Sequence, residues 1–233
     1  MKAMIASDLI SLKGSVKSVA LTALVVAAVI VASLGNIAAV ASTVAACMSI
    51  SLFYNLLAQD ETNDWQAYRL TLPISRKQVV SGRYASSALL CAASAIVGFV
   101  AALIAWGVLL CFKGTDFAAS ALQGADIATC AVTAVVGFAI SLLIVVATTP
   151  LAMKSGLTKA VRYLPLVMVV LVFLLMIAWN MAGATKAVSD GFLIWASSDT
   201  GVAILVALGL ILSVLLYALS WWISAQFYAR REF

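Results

Sequence analysis

Residues Ser18 to Gln59 read SVALTALVVAAVIVASLGNIAAVASTVAACMSISLFYNLLAQ, without one charged side chain. A helix needs only about 20 apolar residues to cross a hydrocarbon layer about 30 Å thick. This run is roughly twice that length. Gly35-Asn36 lies near its middle, and such a pair punctuates helices. The stretch therefore reads as two successive spans, 18–34 and 37–58.

Working outward, the chain is again uncharged over Tyr84–Phe112, Ile127–Met153, Tyr163–Thr185 and Thr200–Ala229. These runs predict spans over 84–111, 127–149, 163–182 and 201–225. Only 10% of residues are charged and the mean hydropathy is +1.14, too apolar a balance for a soluble domain. The expected fold is all-α: one polytopic membrane domain over 1–233, with six transmembrane helices.

Lys and Arg set the orientation of such spans, because cytoplasmic segments carry their excess. With six spans, segments 1–17, 59–83, 150–162 and 226–233 share one side and hold twelve of the fourteen Lys and Arg. Only Lys113 and Lys186 fall opposite. Both termini are expected to be cytoplasmic. The net charge of +5 then reflects topology and contact with lipid headgroups. A nucleic-acid partner would need a concentrated basic face, and none is expected.

Residues 1–17 carry Lys2, Asp8, Lys13 and Lys17, and no cleavage end precedes the next span. The first span therefore reads as a retained anchor, not a signal peptide. On a helix, Ile5, Leu9, Leu12 and Val16 form one apolar stripe. Lys2, Lys13 and Lys17 lie along one edge of it, where they can snorkel to headgroups. An amphipathic interfacial helix over 1–17 is expected, with an ordinary positive flank of the first span as the alternative.

The absences exclude several function classes. The chain has no His, which removes His-based triads and the common zinc sites. No predicted span holds a charge pair for acid–base work or a proton relay, against an ion-coupled pump or an intramembrane protease of the acidic or metal type. Cys47, Cys91, Cys111 and Cys130 lie in or at the ends of apolar runs without metal-ligand spacing. They read as small packing residues, although Cys111 and Cys130 flank one outer loop and pairing is the alternative. No phosphate-binding GxxxxGK[ST] loop occurs. The chain is thus expected to be no enzyme and to bind no cofactor, and energy for uphill transport must come from another polypeptide.

The exception to this apolar pattern is DWQAYRLTLPISRKQVVSGRY, Asp64 to Tyr84. Ser75 and Gln78 have the spacing of a capping box, with Ile74 and Val79 at the positions of a hydrophobic staple. Pro73 disfavours helix at Leu72, so a new helix starts at Ser75 and runs through Arg83 into the third span. Upstream, Trp65, Tyr68 and Leu72 share one face of a short helix beginning near Asn63 or Asp64. A mere linker would more often be Gly/Ser-rich and uncapped. Two short helices about a Pro bend, with Arg69, Arg76 and Lys77 nearby, read as a docking element. The alternative is an interfacial segment anchored by its Trp and Tyr.

This stretch resembles the first cytoplasmic loop of the bacterial ABC-type-2 exporter permeases, compact six-span proteins that pair with a separate ATPase. The resemblance rests on Trp65, Tyr68, Thr71, Leu72, Pro73, Ile74, Ser75, Arg76, Val80, Arg83 and Tyr84, and on the ending with Arg231, Glu232 and Phe233. It implies a multi-pass protein of the bacterial plasma membrane that pairs with a second permease copy or a paralogue. A cytoplasmic ATPase would hold the ATP and Mg. It also implies that the N-terminal helix and the 59–83 loop contact that ATPase, the loop passing its closure to the spans. The cargo would be a peptide or another amphipathic or hydrophobic substrate, moved outward. The rival class is a substrate-capture subunit of an energy-coupling-factor importer, which needs a preformed polar pocket and no coupling loop.

Three smaller features complete the reading. Asn55 and Asn180 are candidates for interhelical hydrogen bonds or for lining a pathway. Phe192 to Trp195 is apolar but too short to span, and reads either as a re-entrant turn or as an aromatic anchor.

Overall fold

The computed structural model describes residues 2–34, 37–62, 75–112, 115, 118, 121–122, 126–155 and 198–229. Five long helices make up nearly all of it: α1 Lys2–Leu34, α2 Ala38–Thr62, α3 Arg76–Cys111, α4 Ile127–Ser155 and α5 Asp199–Ala229. All five contain a stretch long and apolar enough to cross a membrane. The expected sixth span, 163–182, lies outside the described residues.

Local chemistry sets several boundaries. Ser75, in extended backbone, caps α3 and forms the full capping box with Gln78. Asp126 Oδ1 accepts from the Ile127 N–H at 2.7 Å ahead of α4. Ser198 Oγ accepts from the Gly201 N–H at 3.1 Å and satisfies one of the four open donors at the start of α5. At 1.5 Å per residue, the 36 residues of α3 reach about 54 Å, well beyond a hydrocarbon layer of about 30 Å. α3 therefore projects past the apolar layer.

α3 is the common neighbour, touching each of the other four helices, while α2 packs among α1, α3 and α4. The α2–α3–α4 contact is set by glycine. A Cβ at Gly98 of α3 would lie 2.5 Å from the Ala41 carbonyl oxygen, and one at Gly137 of α4 would lie 2.7 Å from that of Ser42. Ala45 of α2 faces both glycines. Only small residues let three backbones approach this closely, as membrane helices commonly do.

Side-chain contacts give the directions. Met4 lies against Gly82 and Asp8 against Ser86, so α1 and α3 run parallel. Ser81 meets Trp221 and Ser87 meets Tyr217, so α5 is antiparallel to α3. Ser220 meets Val146, and Tyr228 clusters with Met153, so α4 and α5 run the same way. Gln59 reaches the Ser11 carbonyl, bringing the end of α2 beside the start of α1. One end of the bundle thus gathers the starts of α1 and α3 with the ends of α2, α4 and α5. Exposed Lys13, Lys17, Arg76 and Lys77 make it basic.

One expectation changes. Residues 1–17 and the first span run as one unbroken helix, α1. Within the bundle α1 packs through Asp8, Leu12, Val19 and Ala23, while Leu9 and Val16 of the apolar stripe are 44% and 38% exposed. Asp8, one turn before Leu12, meets a partner charge inside the bundle.

Candidate functional site: the buried junction at the basic end

Among the described residues, Arg83 is the largest fully buried side chain, at 0% exposure, and Asp8 is 2% exposed. Arg83 Nη1 stands 3.4 Å from Asp8 Oδ2. Ser86 Oγ donates to the same Oδ2 at 2.8 Å. The carboxylate therefore has both a countercharge and a hydrogen bond, which a charge removed from water requires. Both residues lie in helices with the length and composition of spans. The pair lies just outside the charge-free runs read as spans, Ser18–Gln59 and Tyr84–Phe112, and it joins two helices, so neither run reveals it.

The next residue of α3 faces elsewhere. Tyr84 OH is 2.7 Å from Ser220 Oγ and 2.8 Å from Ser224 Oγ of α5. Tyr217 OH donates to the Tyr84 carbonyl and lies 2.8 Å from Ser87 Oγ. The two tyrosine rings meet edge to face, 5.0 Å apart at 69°, a favoured aromatic geometry. Trp221 Nε1 donates to Ser81 Oγ at 3.0 Å. Below these contacts, Val79, Val80 and Tyr84 of α3 pack with Met153 of α4 and Tyr228 of α5. Within ten residues of its cap, α3 is thus tied to α1 through Arg83 and to α5 through Tyr84.

A profile described as ABC-2 family transporter protein matches residues 3–229. The chain belongs to this family. It is an ABC-2 type permease, and permeases of this family normally work with an ATPase partner. No curated protein and no solved structure matches the chain. The family match leaves the substrate-capture alternative without support.

In this permease, the helix expected to run from Ser75 into the third span does begin at that capping box. Ser75 Oγ accepts from the Gln78 N–H at 3.3 Å, and Gln78 Oε1 accepts from the Ser75 N–H at 3.1 Å. Arg76 and Lys77 follow on the exposed first turn. Trp65, Tyr68, Arg69, Leu72, Pro73 and Ile74 lie outside the described residues, as do Asn180 and the Phe192–Trp195 segment. Asn55 makes its hydrogen bond inside α2, to the Ser51 carbonyl at 2.8 Å. All four cysteines are free thiols, so Cys111 and Cys130 are unpaired.

Sequence reasoning did not single out Asp8, Tyr217, Ser220 or Ser224, which the structure brings to this junction. One signal was available: Asp8 is the sole acidic residue among the first 59, and it stands on a helix otherwise flanked by Lys.

Proposed function

We propose that this permease exports a peptide or another amphipathic or hydrophobic cargo across the bacterial plasma membrane, driven by an ATPase that docks on segment 59–83. The basic end of the bundle is the cytoplasmic side, consistent with the Lys/Arg bias. Two permease copies, or a copy and a paralogue, share two ATPase subunits, which hold ATP and Mg; this chain binds neither. The parallel course of α4 and α5 supports a six-span topology. The Tyr163–Thr185 run, uncharged and long enough to span, is the sixth span in this reading.

One observation carries the coupling role. α3 starts at a full capping box and continues unbroken to Cys111, passing through the junction that holds α1 and α5. A rigid helix pushed at Ser75 moves everything tied to Arg83 and Tyr84, whereas a flexible linker would absorb the push. The test is Trp65→Ala in permease reconstituted with its ATPase. Aromatic anchors often dominate docking energy, so ATPase association should weaken while the permease itself stays folded. Unchanged association together with unchanged transport per ATP hydrolysed would reduce the segment to a lipid-facing anchor.

A further inference from the structure

Pro150 lies inside α4. It has no backbone N–H, so the Val146 carbonyl four residues earlier loses its helical donor, and the proline ring crowds that carbonyl. The missing bond is supplied from another helix: Ser220 Oγ of α5 donates to the Val146 carbonyl at 2.8 Å. The two carbonyls before it also take hydroxyls. Thr148 Oγ1 donates to Ile144 at 2.6 Å and Thr149 Oγ1 to Val145 at 2.7 Å. Back-bonding of this kind bends helices, and sharp bends concentrate at proline.

Proton inventory fixes the direction of the neighbouring hydrogen bonds. Ser220 has one hydroxyl proton, and it is spent on Val146. Its contact with Tyr84 therefore has Tyr84 donating and Ser220 accepting. The Tyr84 proton is then committed too, so Ser224 donates to Tyr84. The relay runs Ser224 to Tyr84 to Ser220 to the Val146 carbonyl, linking α3 and α5 to the proline turn of α4. Tyr84 stands beside Arg83, whose partner Asp8 belongs to α1.

We propose that Pro150 is a hinge in α4 and that the Tyr84–Ser220 hydrogen bond latches it, so that the angle of the Leu151–Ser155 end depends on the position of α3. With Tyr84 in place, the Ser220 proton is held on Val146. When α3 shifts and Tyr84 withdraws, Ser220 turns to the carbonyl one turn back in its own helix, the usual alternative for serine. Val146 then has no donor and the hinge opens. The latch is a property of the folded permease alone and goes beyond the coupling role of segment 59–83.

The test is a mutant cycle with a structural readout, run on the purified full chain without ATPase. Ser220→Ala should lower the thermal midpoint by about 2–4 °C. Pro150→Ala restores an N–H for Val146, so Ser220→Ala in that background should shift the midpoint by less than about 1 °C. Equal losses in both backgrounds, or none in either, overturn the proposal. Spin labels at positions 140 and 155, in a chain with its four cysteines replaced, report the hinge directly. Tyr84→Phe keeps the ring but removes the relay, and should broaden the label-to-label distance distribution; Pro150→Ala should narrow it. An unchanged distribution in Tyr84→Phe overturns the latch even if the stability cycle behaves as expected. A failed Trp65→Ala test leaves both readouts standing.

Discussion

The bundle is held together by two chemistries in two places. Toward the start of α2, Gly98 and Gly137 bring three backbones together around Ala45. At the basic end, α3 is joined to its neighbours by an ion pair and by hydroxyls on Tyr84, Tyr217, Ser220 and Ser224. The glycine contact is steric: it has one good arrangement, and close packing does not deform gradually. The polar contacts are directional and exchangeable, since the hydroxyls of Tyr84, Tyr217 and Ser220 each have two polar partners within reach. In the exporter reading proposed above, the contact made of shape serves as a pivot and the polar one as a junction whose bonds can be swapped.

The sharpest way to break this comparison is to remove one charge from the junction. Arg83→Ala removes the guanidinium that stands 3.4 Å from the buried Asp8 carboxylate, and losing one member of a buried pair costs about 3–5 kcal/mol. Asp8→Ala, which removes the carboxylate from the same pair, should cost about as much. The paired replacement Asp8→Leu with Arg83→Met should recover much of the loss, because an apolar pair of similar volume can substitute for a buried ion pair. Unfolding of the purified permease in detergent measures all three. If the double replacement is no better than Arg83→Ala, the two side chains act through other neighbours and the pair is not the tie between α1 and α3.

The glycine pivot comes next. Gly98→Ala places a Cβ 2.5 Å from the Ala41 carbonyl oxygen, a backbone atom that cannot turn aside. Overpacking of this kind costs about 1–3 kcal/mol, occasionally more. Gly137→Ala should behave similarly against Ser42. Gly82→Ala is the control: its nearest neighbour is the Met4 side chain, with Sδ at 3.2 Å, and a flexible thioether can adjust. A Gly82 variant as unstable as the Gly98 one would show that the pivot is not confined to α2, α3 and α4.

The same contrast explains what could be read without coordinates. Charge-free runs marked the five described helices, because hydropathy is a property of one segment at a time. The Ser75–Gln78 cap was legible for the same reason: its partners are three residues apart. Asp8 and Arg83 are 75 positions apart, and Ser220 meets Val146 only after α4 and α5 have packed side by side. No local period encodes such meetings. The same limit holds on α1. Its apolar stripe over residues 5–16 was legible, but the burial of Asp8 was not, because its partner charge comes from another helix.

The smallest expected effect lies at the cap, where the junction's independence can be sharpened. Ser75→Ala removes the acceptor for the Gln78 N–H and leaves the reciprocal bond from the Ser75 N–H to Gln78 intact. Loss of an N-cap costs about 0.5–2 kcal/mol, typically about 1. That cost is local, since Ser75 to Gln78 are exposed and the first buried ties come at Val79 and Val80. Amide hydrogen exchange should therefore quicken several-fold in the first turn of α3, while amides from Arg83 onward keep their protection. Opening free energies differ along a structure in this way when the buried contacts are unevenly distributed. Faster exchange that spreads past Arg83 would show that the cap, and not the Asp8 and Tyr84 contacts, holds the entry of α3. The polar junction would then be a passenger on a helix fixed from its end, and the division into a steric pivot and an exchangeable junction would fail.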